Sequence, residues 1–173
     1  MVRHGAINPC RPGYGASCAI CCGSHNYALS RDRIENLFME RGAAGTAGRI
    51  LHPKQVLFER VVPDAMQCPH VGMQPDEPGI VSCLIYVLPW KGKSVESFFQ
   101  GTCRTFFCRG YEELTDEEII FAAKLMRDWY YYPLLINRVD VLRELCAEYA
   151  CPEDVPAEVL ASIISDLDEL AWE

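Results

Sequence analysis

Three cysteines stand within five positions in CAICCGSH (18–25): Cys18, Cys21 and the adjacent Cys22. A buried thiol packs as a small hydrophobe. Ala or Val would do that without the risk of oxidation, so packing does not explain the density. The thiolate is a soft ligand, suited to zinc and to iron–sulfur clusters. Cys18-x2-Cys21 has the spacing that turns two thiolates toward one metal. The side chains of neighbours such as Cys21 and Cys22 are expected to diverge. Cys21 then joins the site of Cys18, and Cys22 serves a second metal, another cluster edge or a redox role.

The chain holds ten cysteines, and eight of them precede residue 110: Cys10, Cys18, Cys21, Cys22, Cys68, Cys83, Cys103 and Cys108. Cys103-x4-Cys108 is a looser version of the first bite. Eight thiolates suit two four-coordinate sites, or one cluster and one structural site. Cys146 and Cys151 fall in or after a helical stretch and are expected to be structural. Four thiolates around a zinc ion leave a formal charge near minus two, which calls for donors or cations close by. Arg11, Arg104 and Arg109 each adjoin a candidate ligand in sequence and are the candidates for that role. His25 and His70 lie near cysteines and are alternative ligands, whereas His4 and His52 read as surface residues. No Ser-His-Asp arrangement, HExxH or dinucleotide fingerprint is present. The pairs Glu112-Glu113 and Glu117-Glu118 read as helix-cap and surface charges, so no catalytic residue is named.

The elements that must position these thiols sit in a chain of 173 residues with a formal net charge of -8. That size predicts a single domain over 1–173 with a real core. The acidic balance argues against nucleic acid, which demands clustered Lys and Arg, and against an anionic membrane surface. No apolar run matches a signal peptide or a membrane span. A cytoplasmic location is the expectation, and in a reducing compartment ten cysteines point to metal or redox chemistry rather than disulfides.

Residues 1–27 read as an irregular loop. Ser30 is a predicted N-cap for a helix RDRIENLFMERG with Ile34, Leu37 and Phe38 on one face and Gly42 as its stop. GAAGTAG (42–48) then reads as a linker. QVLFERVV (55–62) and IVSCLIYVL (80–88) are predicted strands framing a loop that holds Cys68. Thr115-Asp-Glu-Glu118 is a capping box that opens a helix with Ile119, Ile120, Ala123, Met126 and Tyr130 at helical spacing. Pro133 is expected to end or kink that helix, DWYYY (128–132) to be its aromatic end, and LINRVDVLRELCAEY to continue helically. A last helix after Pro156 carries an apolar stripe from Val159 through Leu160, Ile163, Ile164 and Leu167 to Leu170.

The order CAICCGSHNY, QCPHVG, VSCLIY, CRTFFC resembles the zinc- or iron-chelating proteins named for their CxxCxxCC motif, over roughly residues 10–111. The resemblance implies a cysteine cluster binding zinc or iron, with the eight cysteines as ligands. This chain departs from the pattern in two places. Gly15 stands where the family's first cysteine falls, leaving Cys10 as the nearest upstream thiol, and PWKGKSVESFFQG forms a longer insert before Cys103. The combined expectation is an α+β fold. A small cysteine-rich metal-binding region of loops and short strands (1–111) packs on C-terminal helices (112–173). It would hold an iron–sulfur cluster, a 4Fe-4S centre, ahead of Zn²⁺, and serve redox or protein-modification chemistry. The alternative is a non-catalytic, zinc-stabilised module that binds a protein partner. Cys68-Pro69, which echoes the Cys-Pro of bacterial ferredoxins, tips the balance toward iron–sulfur.

Overall fold

A computed structural model describes residues 5–46, 58–84, 103 and 107–170. The protein is of mixed helix and strand, α+β in kind. Among the described residues it has six α-helices and one two-stranded antiparallel sheet.

Helix α1 spans Arg31–Thr46. The Ser30 carbonyl accepts the amides of Arg33 and Ile34, as expected of the residue that starts the helix. Ile34 and Phe38 are buried as the periodicity required. Gly42 does not stop the helix, and residues 42–46 are helical rather than linker. The reason is tertiary. A Cβ on Gly42 would stand 2.1 Å from the Met73 carbonyl oxygen, so glycine lets the helix lie directly on the strand below it.

That strand, β1 (Val71–Gln74), was not among those predicted. It pairs antiparallel with β2 (Glu77–Cys83), setting Val71 opposite Cys83, Gly72 opposite Ser82 and Met73 opposite Val81. The register then slips between Met73 and Gln74. Pro78, which has no amide to donate, and Gly79, at φ 86°, occupy the irregular stretch. Of the predicted strand 80–88, residues 80–83 are extended as expected, and 85–88 lie outside the described residues. Of QVLFERVV, 58–62 form no strand and 55–57 lie outside the description. β propensity without a pairing partner does not make a strand.

Helix α2 is a short turn, Arg109–Glu113. Helix α3 (Asp116–Met126) begins with the predicted capping box, Thr115 and Glu118 each accepting from the other's amide. It ends at Arg127 in a left-handed conformation (φ 50°), before Pro133. DWYYY is thus the start of the next element. The Asp128 carboxylate accepts the amides of Tyr130, Tyr131 and Tyr132, opening α4 (Tyr131–Asn137). Pro133 sits in its first turn, where a missing amide costs nothing. Helix α5 (Val139–Glu148) follows after a break at Arg138, and α6 (Ala157–Leu170) closes the chain. Of the α6 stripe, Ile163 and Leu167 are buried, while Val159 and Ile164 are only partly covered. Trp129, Tyr130 and Tyr132 are core residues, as expected of the aromatic run.

One hydrophobic cluster runs from Ala16 and Tyr27 through Phe38, Val71 and Val81 to Ile119, Leu135, Leu142 and Leu167. The Trp129 ring packs edge-on to Phe38, 5.4 Å between centroids, joining the helices to α1. Among the described residues no helix is long and apolar enough to cross a membrane.

Candidate functional site

The loop before α1 carries four of the eight candidate cysteines and is held in place from both ends. The Tyr132 hydroxyl donates to the Pro9 carbonyl at 2.8 Å, and the Asn8 side chain accepts the Cys10 amide at 2.9 Å. Gly13, Tyr14 and Gly15 all adopt positive φ, and the chain turns back on itself there. The Cys18 amide consequently donates to the Cys10 carbonyl at 3.0 Å. Cys10, the thiol that stood off the family spacing, is brought beside Cys18 by that reversal. The buried Ser17 hydroxyl accepts the Val81 amide at 2.9 Å and ties the same loop to β2.

A 3-10 turn, Ile20–Cys22, presents the vicinal pair. Their sulfurs lie 4.0 Å apart, so the side chains do not diverge as expected. They are not disulfide-bonded, and all ten cysteines are free. One thiol can donate to the other. The hydrogen bond holds the more exposed Cys21 down to about 7 and pushes the half-buried Cys22 up.

Gly23 closes the turn at φ 80°, and a Cβ there would fall 1.7 Å from the Met66 carbonyl oxygen. This close approach lets the Cys68 amide donate to the Cys22 carbonyl at 2.9 Å. The Cys68 carbonyl in turn accepts the amide of Val71, whose cross-strand partner is Cys83.

The backbone thus places Cys10 beside Cys18 and Cys22 beside Cys68, with Cys83 across the ladder from Val71. Burial and then the Cys21 and Cys108 thiols push Cys10 up to about 12. Burial and the thiols of Cys10, Cys21 and Cys108 push Cys18 far up. Cys108 is raised by burial and by Cys21. On the other side, Cys22 feels Cys68 and Cys83, while burial, Cys83 and Cys103 raise Cys68 to about 11. Cys103 is raised by burial and by Cys21. Cys146 stands elsewhere, raised to about 11 by burial and by Glu118, and Cys151 is exposed.

Charge around the thiols differs from the sequence expectation. Arg11 is engaged by Gln74 and Glu77, and Arg109 by Glu113 and Asp140. Arg104 lies outside the described residues. Among the described residues the buried cation is Arg41, 7% exposed, whose Nη1 donates to the Tyr27 hydroxyl (2.9 Å) and to the carbonyls of Cys68 (3.4 Å) and Val71 (3.1 Å). Its guanidinium also faces the rings of Tyr27 and Phe38. One signal for it lay in the sequence. Arg41 falls seven residues after Ile34 and three after Phe38, on the apolar face of α1, where a charge is unexpected.

His25 is spoken for. The Tyr130 carbonyl can only accept, so Nε2 carries the proton that binds it at 2.9 Å, and Nδ1 accepts from the Ser24 hydroxyl at 2.9 Å. Burial holds its pKa down at about 4, leaving a neutral ring fixed in the core. His70 is held below the ordinary value by burial and by Arg41.

Cysteine is the right donor for zinc or for an iron–sulfur cluster. Among the described residues no three Cys, His, Asp or Glu side chains stand in an arrangement that holds an ion as they are. The chain matches no family model, no curated protein and no solved structure.

Proposed function

We propose that this is a metal-binding protein that holds an iron–sulfur cluster or zinc through Cys10, Cys18, Cys21, Cys22, Cys68, Cys83, Cys103 and Cys108. The observation that carries the reading is convergence. The reversal at Gly13–Gly15 and two backbone hydrogen bonds, Cys18 to Cys10 and Cys68 to Cys22, bring together cysteines from distant parts of the sequence. A crowded set of thiols is also hard to ionise alone, because each thiolate raises the cost of the next. Protons or a bound cation relieve that repulsion, and a thiophilic metal relieves it best.

With iron–sulfur bound, in a reducing cytoplasm, the protein serves redox or protein-modification chemistry. With zinc it is a non-catalytic module whose ion ties the loops of residues 10–24 and 66–71 together and whose helical part binds a protein partner. The test is elemental and sulfide analysis of anaerobically purified protein, together with its visible spectrum. Iron with acid-labile sulfide and broad brown absorption is the expected result. Zinc in a colourless protein favours the module. A fully reduced protein that retains neither metal overturns the proposal.

A further inference from the structure

We propose that the adjacent thiols of Cys21 and Cys22 form a reversible oxidation site, which hydroperoxides convert to a disulfide between the two neighbours. Cys21 is the attacking thiol and Cys22 the resolving one. The inference goes beyond the metal-binding reading and does not need it.

The placement of the two sulfurs carries it. A 3-10 turn has about three residues per turn, so successive side chains leave it roughly 120° apart. The sulfurs of Cys21 and Cys22 nevertheless lie 4.0 Å apart, so both side chains are turned toward each other. The turn beneath them is fixed. The Cys22 amide donates to the Ala19 carbonyl at 3.0 Å and the Gly23 amide to the Ile20 carbonyl at 2.8 Å. The Cys22 carbonyl accepts the Cys68 amide at 2.9 Å. Exposure divides the roles. Cys21 is exposed and meets an oxidant from solvent, whereas Cys22 is half-buried and less open to direct attack. An accessible thiol beside a resolving thiol is the arrangement that senses oxidants.

The chemistry balances with a hydroperoxide, ROOH, as the oxidant. The Cys21 sulfur attacks the O–O bond, takes one oxygen as a sulfenic acid, and its proton goes to the departing ROH. The Cys22 sulfur then attacks the Cys21 sulfur. The S–S bond forms, and the hydroxyl leaves as water with the Cys22 proton. The two thiols lose two electrons and the peroxide gains them. Neighbouring Cα atoms stand about 3.8 Å apart across a trans peptide, below the roughly 4.4 Å at which ordinary disulfides begin. The bond is therefore strained, and a strained disulfide is the readily reduced kind. A metal held by either sulfur is released by the same oxidation, because the ligand is the thiolate and not the disulfide.

The experiment uses the intact chain, purified anaerobically, with its metal content measured first. It receives one equivalent of hydrogen peroxide, is alkylated with iodoacetamide in denaturant, and is mapped by mass spectrometry after trypsin. One peptide holds Cys10, Cys18, Cys21 and Cys22. It is expected to carry label at Cys10 and Cys18, none at Cys21 and Cys22, and to be lighter by two hydrogens. Reduced glutathione is expected to reopen the bond. Cys18→Ser is expected to keep the response, Cys21→Ser to lose it, and Cys22→Ser to stop at a Cys21 sulfenic acid that dimedone captures. Circular dichroism checks each variant, and the wild-type map decides without any that fails to fold. Label at both Cys21 and Cys22 after peroxide, or a bond from Cys21 to Cys18 with Cys22 labelled, overturns the proposal. A bond that glutathione leaves closed overturns its reversibility. A metal-free chain that forms the bond fails the metal-binding reading alone, whereas a metal-loaded chain whose pair resists peroxide fails this inference alone.

Discussion

Replacing Gly23 by Ala tests how the two cysteine segments are held together. Gly23 sits at φ 80°, and an added Cβ would lie 1.7 Å from the Met66 oxygen, 2.7 Å from the Met66 carbonyl carbon and 3.1 Å from the Gln67 Cα. These are backbone atoms, so no side-chain rotation relieves the contact. The 66–67 segment must retreat by more than about 1 Å to restore a van der Waals distance. That retreat stretches the 2.9 Å bond from the Cys68 amide to the Cys22 carbonyl. It also disturbs the Asn26 side chain, whose amide donates to the carbonyls of Val62, Ala65 and Met66. The left-handed backbone costs a non-glycine residue about 1 kcal/mol. One or two weakened buried hydrogen bonds add about 1 kcal/mol each. The expected destabilisation is therefore about 3 kcal/mol, a large share of the roughly 5–15 kcal/mol typical of a domain. Gly13→Ala is the control. Its φ is 87°, yet a Cβ there would meet nothing within 4 Å, so it carries the backbone strain without the clash. Urea unfolding followed by circular dichroism gives both values, and hydrogen exchange at the Cys68 amide reports the local bond. Gly23→Ala no more destabilising than Gly13→Ala, with Cys68 exchange unchanged, would refute the reasoning.

Two further outcomes follow from the core. His25 is neutral with a pKa of about 4 against an ordinary 6.5, so the unfolded chain binds the extra proton first. Its contribution is complete above pH 6.5 and is lost as the pH falls toward 4; about 2 kcal/mol is expected after allowing for the ring's partial exposure. Melting the apoprotein between pH 7.5 and 4.5 should show this loss, and His25→Gln should flatten it; parallel curves would remove His25 as the cause. Asp128→Ala deprives the amides of Tyr130, Tyr131 and Tyr132 of their acceptor and Arg31 of its partner at 3.0 Å. A loss of about 2–3 kcal/mol in urea unfolding is expected, and an unchanged midpoint would show that the α4 start needs no cap.

Signals confined to a few neighbouring residues were legible. Thr115 and Glu118 close a ring three positions wide, so the start of α3 could be read directly from the sequence. The stripe of α1 was legible for the same reason, as was the helix after Pro156. Two of the failures have a distant cause. Val71–Gln74 is too short to announce itself, and it becomes a strand because β2 and the glycine-smoothed face of α1 receive it. Gly42 looked like a helix stop because its real neighbour, Met73, is far along the chain. Pro133 looked like a breaker although the signal was local: Asp128 accepts the amide of Tyr131, three positions on, and restarts the helix before the proline.

The thiols divide along the same line. Residue types and their count determined the chemistry on offer, because soft sulfur donors are a property of the side chain and not of its surroundings. The tertiary structure alone decided which thiols are neighbours. Cys10 meets Cys18 through a reversal at Gly13–Gly15, and Cys22 meets Cys68 because Gly23 has no Cβ. It also decided which arginine matters. Arg11 and Arg109 adjoin cysteines in sequence but are neutralised by carboxylates, while Arg41 reaches Cys68 across the interior. Proximity along a chain says little about contacts between segments that packing brings together, and the electrostatics of a site is the sum over those contacts.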